Sequence, residues 1–350
     1  MPTIPQLEQA LMDAANNGDM AAITSIVTTL TVQEKQQINP MVFGYTLSSV
    51  ADYSNTNAAL AASTAGIFME EVGLYTSSND ISYAMSTFGM WGNLAGVNEM
   101  VDNTDPQIFP LLNSMYLGMT LESVADMTNF DPAGAAATAA NFLSDLSLYT
   151  YSGSIGRAMS TFSMWGNLDG VNAVVDNADP QVFPLLSSMD LGITLENVAN
   201  MTNFDPAGSV ATAANLLSDL SLYTYSGSIG QAMSIFSMWG NLDGVNAVVD
   251  NTDPLVFPLL SSMDLGITLE NVANMTNFDP AGSVATAANL LSDLSLYTHS
   301  GSIGQAMSIF SMWGNLAGVN AVVDNTDAQV FPLLSSMDLS ITLENVANMT

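Results

Sequence analysis

The residues best placed for chemistry are paired carboxylates. In "DNADP" and "DNTDP", Asp176 with Asp179 and Asp250 with Asp253 gather several oxygens within four residues, the hard-ligand chemistry that Ca²⁺ requires. No Glu closes either loop at EF-hand spacing. An Asp directly before Pro180 or Pro254 also suits a helix start, where its side chain accepts an orphan amide and Pro occupies the first turn without loss. Capping is the favoured reading, and these four residues stay as weak Ca²⁺ candidates. Asn200, Asn274 and Asn348 each open an Asn-Met-Thr sequon, which permits N-glycosylation in a secreted eukaryotic protein. The preceding copy has Asp126 there, so one sequon duplicated by copying accounts for all three.

Catalysis finds little to work with. A nucleophile needs a base and an orienting group, and this chain has one His, His299, standing where other copies have Tyr151 and Tyr225. With zero Cys there is no thiol nucleophile, zinc thiolate or disulfide. The sequence therefore predicts no enzyme, no cofactor beyond loosely bound divalent cations, and no small-molecule substrate.

Charge narrows the partners. The 350 residues hold 33 Asp plus Glu against Lys35 and Arg157, a net charge of -31. Nucleic acids and anionic membranes both demand clustered Lys and Arg, so neither is a predicted partner. Only 10% of residues are charged, while 48% are hydrophobic, so the chain can bury a core and is not an acidic disordered tail. No apolar run reaches the roughly 18 residues of a membrane span. The N-terminal stretch lacks the basic and apolar regions of a signal peptide. The near-absence of Lys and Arg, which leaves little for trypsin to cut, points to an extracellular or cell-surface protein.

The elements that carry these residues repeat. Trp91, Trp165, Trp239 and Trp313 lie 74 residues apart, and the copies align without insertion. Residues 149–222 and 223–296 differ at four positions: Arg157 for Gln231, Thr161 for Ile235, Ala178 for Thr252 and Gln181 for Leu255. One period earlier, "GDMAAITSIV" at 18–27 aligns with "GNLAGVNEMV" at 92–101. The organisation is thus a diverged N-terminal capping copy (1–74), three copies (75–148, 149–222, 223–296) and an incomplete copy (297–350).

Apolar residues recur at helical spacing, as in Ile155, Met159 and Phe162, then Leu168, Val171 and Val174. With breaks assigned to Gly166-Asn167 and Leu191-Gly192 and starts to each Asp-Pro, helices are predicted near 155–165, 168–176, 180–190, 194–202 and 206–220. Each period then reads either as three helical hairpins of about 25 residues, the favoured reading, or as five helices with a longer one between. Such hairpins bury their faces only by stacking, so the predicted fold is an all-α solenoid. Met159, Met164 and Trp165 are expected in its core.

"LMDAANNGDMAAITSIV" (11–27) resembles the helix-turn-helix half of an ankyrin repeat, with Ala14 and Ala15 on one helix, Gly18 at the turn, and Ile23, Ile26 and Val27 on the next. The "TPLH" opening and the Gly-Ala-Asp finger of that family are missing. The resemblance implies a stack of helical hairpins used for protein contacts. Two functions follow from the sequence. The first is a self-associating structural protein, a homopolymer subunit of an extracellular filament, sheath or surface layer; an apolar stacking face left open at residue 350 would be covered by another subunit or continued by a longer array. The second is an ankyrin-like scaffold that grips a basic partner in an acidic groove. Near-identical copies favour the first, because a scaffold diversifies its groove.

Overall fold

A computed structural model describes residues 2–349; Thr350, the last residue of the third sequon and of the incomplete copy, lies outside it. The described residues form α-helices and short 3-10 turns, with no strand. Two compact units divide between Leu186 and Ser187, midway through the third copy, and each is described by itself.

The first unit runs α1 (Ile4–Asn16), α2 (Met20–Thr29), α3 (Val32–Gln37), α4 (Pro40–Asp52), α5 (Ser54–Val72), α6 (Ser78–Met90), α7 (Leu94–Asp102), α8 (Ser114–Asp126), α9 (Pro132–Leu146), α10 (Ser152–Met164) and α11 (Leu168–Asn177). The second runs α12 (Ser188–Asn200), α13 (Pro206–Leu220), α14 (Ser226–Met238), α15 (Leu242–Asn251), α16 (Ser262–Asn274), α17 (Pro280–Leu294), α18 (Ser300–Met312), α19 (Leu316–Asn325) and α20 (Ser336–Asn348). In the first unit α4, α6, α8 and α10 pack in one row and α5, α7, α9 and α11 in a second. The second unit repeats the plan, with α12, α14, α16, α18 and α20 in one row and α13, α15, α17 and α19 in the other. Each unit is a stretch of all-α solenoid built from tandem helical hairpins.

The helix count per period corrects the sequence. There are two hairpins, not three: equivalent first helices begin at Ser152, Ser188 and Ser226, 36 and 38 residues apart. The segment expected as a helix over 180–190 is a 3-10 turn, Pro180–Leu185. Pro184 has no N–H to give and would clash with the carbonyl four residues back, so no α-helix propagates through "DPQVFPL". Leu191-Gly192 does not break a helix but lies inside α12. Gly192 is there for closeness, because a Cβ on it would press into Ser228 of α14. The expected helices over 155–165 and 168–176 correspond to α10 and α11, and that over 206–220 is α13 residue for residue.

Side chains that cap one hairpin also bind the next. Asn167 Oδ1 accepts the Gly170 N–H at 2.9 Å, closing the start of α11. Its Nδ2 donates to the Pro132 carbonyl at 2.9 Å and to Thr128 Oγ1 at 3.3 Å, in the turn of the preceding hairpin. Asn93 does the same to the Ala58 carbonyl and Ser54 Oγ, and in the second unit Asn241 to the Pro206 carbonyl and Thr202 Oγ1. These turns therefore stack along one edge of each unit. On the opposite edge Asp179 N–H donates to Ser147 Oγ, Asp253 N–H to Ser221 Oγ and Asp327 N–H to Ser295 Oγ, each at 3.1 Å.

The core lies between the two rows of helices. Ile155, Ala158, Met159 and Phe162 of α10 face Val171, Val174 and Val175 of α11, all buried. Full burial of each such Val, Ile or Phe is worth about 1.5–3 kcal/mol. Buried Thr on helices is neutralised locally: Thr120 and Thr194 each donate to the carbonyl four residues back at 2.8 Å. Among the described residues no buried side-chain polar atom lacks a partner. Gly170 sits under the Phe162 ring, where a Cβ would overlap it. The first copy makes the complementary exchange, with Ala14 in place of the Phe and Ala22 in place of the Gly.

Two substitutions test this packing. Asn167→Asp keeps the cap but replaces a buried donor with a carboxylate facing a carbonyl, and is expected to cost about 1–3 kcal/mol in urea denaturation followed by circular dichroism. Gly170→Ala is expected to cost about 1–3 kcal/mol by overpacking. Adding Phe162→Ala should cost less than the sum of the two single changes, because it clears the space the new methyl needs.

Candidate functional site

The carboxylates singled out in the sequence serve the turns. Asp179 Oδ1 accepts the Gln181 N–H at the start of the 3-10 turn Pro180–Leu185, and Asp253 Oδ1 the Leu255 N–H in the turn leading to Phe257–Leu259, both at 2.8 Å. Asp250 Oδ1 accepts from Asn289 Nδ2 at 2.8 Å, tying α15 to α17. Asp176 also has a partner within the protein. No group of three or more His, Cys, Asp or Glu suited to a metal ion occurs among the described residues. Asn200, Asn274 and Asn348 are exposed at the last residues of α12, α16 and α20. The sequon Thr is not equally accessible: Thr202 and Thr276 are buried, each sharing a 2.9 Å hydrogen bond with Ser209 or Ser283.

His299 is exposed and uses its backbone, donating its N–H to the Ser262 carbonyl at 3.2 Å. Tyr151 and Tyr225 make the same backbone contact to Ser114 and Ser188. That contact is indifferent to the side chain, which accounts for the exchange of Tyr for His.

The Trp and Met residues correct the expectation of a uniform core. Met159 is buried, but Met164 is 65% and Trp165 54% exposed, because both stand at the end of α10, where the helical face that packs inward has run out. Trp91, Trp239 and Trp313 are equally half-exposed, and Phe130, Phe204 and Phe278 more so, at 77–78%. Thus the Asn-bonded edge of the first unit carries Trp91, Phe130 and Trp165 on successive turns, and that of the second carries Phe204, Trp239, Phe278 and Trp313. The first copy has Asn17 and Thr56 at these places. The opposite edge exposes a different set: Leu111 and Leu185 in the first unit and Leu259 and Leu333 in the second, at 66–67%, with Met115, Met189, Met263 and Met337 close behind them in sequence. Singly exposed hydrophobics are ordinary on a protein surface, and it is their grouping into patches that marks interaction sites.

One turn of the first edge forms a cleft of about 390 Å³, lined by Thr202, Pro206, Trp239, Gly240, Asn241, Leu242, Asp243, Met275 and Asp279. Its polar groups are unequally engaged. Asn241 is spent on Gly244, Thr202 and Pro206, and Asp279 Oδ1 caps α17 through the Gly282 N–H. The two basic side chains of the protein are occupied elsewhere, Lys35 with Glu71 at 2.6 Å and Arg157 with Glu122 at 3.4 Å. The field of the carboxylates is therefore almost uncompensated.

One carboxylate shows the consequence. Burial first, and the Glu122 charge one helical turn earlier second, raise the Asp126 pKa above its ordinary value. Asn200 and Asn274 stand at this position in later copies and remove that repulsion from Glu196 and Glu270. The sequence showed Asp126 where later copies open the sequons; that Glu122 stands one turn before it follows from both lying on α8.

No known protein family matches the chain, and no curated relative does. Among solved structures, the chain is similar to a circular tandem repeat protein with novel repeat topology and enhanced subunit contact surfaces, at 9% identity over 99% of this chain and 97% of that one, with a TM-score of 0.25.

Asp126→Asn supplies the pH test. A raised folded pKa means the native state prefers the protonated acid, so the penalty is absent below the ordinary value of 3.8 and sets in as pH rises through the raised pKa. The variant is expected to be more stable than the parent at pH 7, with the gain fading as pH falls from the raised pKa toward 3.8 and gone below it. Paired urea titrations across that range measure the difference.

Proposed function

We propose that the protein is a structural, self-associating solenoid, a subunit of an extracellular filament, sheath or surface layer assembled from copies of itself. The observation that carries this reading is the set of exposed Leu and Met on this edge of each unit, which returns in every later copy at the same exposure. A contact made by one copy is then available to the next when two chains align, so many weak apolar contacts add along the array. The scarcity of Lys and Arg supports an extracellular setting. A diversified ankyrin-like groove fits less well, since residues 149–222 and 223–296 present the same side chains at all but four positions.

Association by this edge works against a net charge of -31. Carboxylates such as Asp176, Asp179, Asp190 and Asp219 belong to the same turns and helix ends as Leu185 and Leu222. Like charges hold chains apart at neutral pH and low salt, and screening, protonation or bridging divalent cations removes the barrier.

Assembly is accordingly expected to be weak at pH 7 in low salt, and to grow as pH falls toward the isoelectric point of about 4.1 or as Ca²⁺ is added. Sedimentation velocity and negative-stain imaging read it. The combined Leu185→Ser, Leu259→Ser and Leu333→Ser variant should stay monomeric while keeping its helical circular dichroism. A parent chain that remains a monodisperse monomer at high concentration with divalent cations overturns the reading.

A further inference from the structure

The Trp-bearing edge has a chemistry different from the Leu edge, and it points away from self-association. In the Trp239 cleft the indole is half-exposed, and the exposed carboxylate of Asp243 makes no hydrogen bond or ion pair with the described residues. The amide donors beside it are engaged: Asn241 Nδ2 goes to Thr202 and Pro206, and the Gly244 N–H goes to Asn241. What the cleft offers a visitor is the face and N–H of one indole and the carboxylate oxygens of Asp243 and Asp279. Ammonium and guanidinium groups, which are donors only, match a site in which acceptor oxygens predominate. A cation is also attracted by the face of an indole. The turn joins the C-terminal end of α14 to the N-terminal end of α15, so the partial charges of the two helix ends offset each other and the carboxylates decide the sign.

From this juxtaposition of Trp239, Asp243 and Asp279 in one cleft, we infer that the Trp edge binds the ammonium or guanidinium groups of a Lys- or Arg-rich polypeptide segment. A second copy of this chain does not fit the role, because its only basic side chains, Lys35 and Arg157, are each held by a Glu of their own chain. The repetition also defines the partner. Trp165 is followed by Asp169 at the spacing of Trp239 and Asp243, so the same pair of side chains occurs in each unit and a partner with repeated positive charge has more than one place to bind. Trp91 and Trp313 have Ala95 and Ala317 in place of that Asp, and their turns bind less tightly.

The test uses the full-length chain at physiological ionic strength and a deca-lysine and a deca-arginine peptide, followed by Trp fluorescence and calorimetry. Expected is saturable binding with a change in Trp emission. Affinity should fall at least tenfold in Trp165→Ala/Trp239→Ala and in Asp169→Asn/Asp243→Asn. The charge-matched control Asp219→Asn/Asp293→Asn, at the far ends of α13 and α17, should change it less than twofold. Equal loss in the control means diffuse electrostatic attraction and overturns the inference, as does binding of a neutral oligosaccharide such as cellohexaose in place of the peptides. The Leu185→Ser/Leu259→Ser/Leu333→Ser variant should bind the peptides as the parent does, so the failure of self-association and the failure of this site are separately readable.

Discussion

The structure depends on an asparagine that works in two directions. Asn167 closes the first turn of its own helix with its oxygen and reaches the preceding hairpin with its nitrogen. A capping Asp or Ser would satisfy the helix equally well, but neither could cap and donate an amide N–H at once. The cap thereby fixes the register of one hairpin on the next, and with it the place of every turn residue. The half-exposed Trp two residues earlier is held at a fixed position on the edge because the Asn is. The first hairpin is the informative exception: Asp19 stands there, capping Ala22 at 3.0 Å with no amide to donate.

The second constraint is the shortage of basic residues. A solenoid of ordinary composition lays Lys and Arg near helix C-termini, where they meet the negative end of the macrodipole. Here Asp176, Asp219 and Asp250 lie close to such ends instead. The helices are held by other means: Asp, Asn and Ser caps at N-termini, and Ser and Thr hydroxyls returned to carbonyls of their own helix. These groups stay neutral or engaged, so the rows pack closely, as Gly192 against Ser228 illustrates. The cost is an edge crowded with carboxylates that no cation of the chain offsets.

How far the sequence disclosed this depended on whether the signal was local. Asp205-Pro206 marks a helix start by backbone chemistry alone, and α13 has the bounds it implies. Asp179-Pro180 carries the same mark, yet Pro184 four residues later limits it to a six-residue 3-10 segment. Leu191-Gly192 misled for the opposite reason. A glycine that ends a helix and one that admits a neighbouring helix look alike in sequence, and only the approach of α14 separates them. Trp165 and Met164 were placed inside by extending a helical periodicity past the end of its helix.

The diverged first copy separates what the fold needs from what it does not. It keeps the caps: Asp19 at the position of Asn93, and Asn57 at that of Asp131, where the kink at the start of α5 is the same capping geometry, with Asn57 Oδ1 accepting from the Leu60 N–H at 3.1 Å. It keeps the core by complementary exchange, Ala14 with Ala22 for Phe88 with Gly96. It discards the aromatics, with Asn17 for Trp91 and Thr56 for Phe130. The same hairpins form with and without the Trp and Phe rows, so packing of the hairpin does not require those rings. Large aromatic surface held in water at every later turn has no role in folding that this copy reveals.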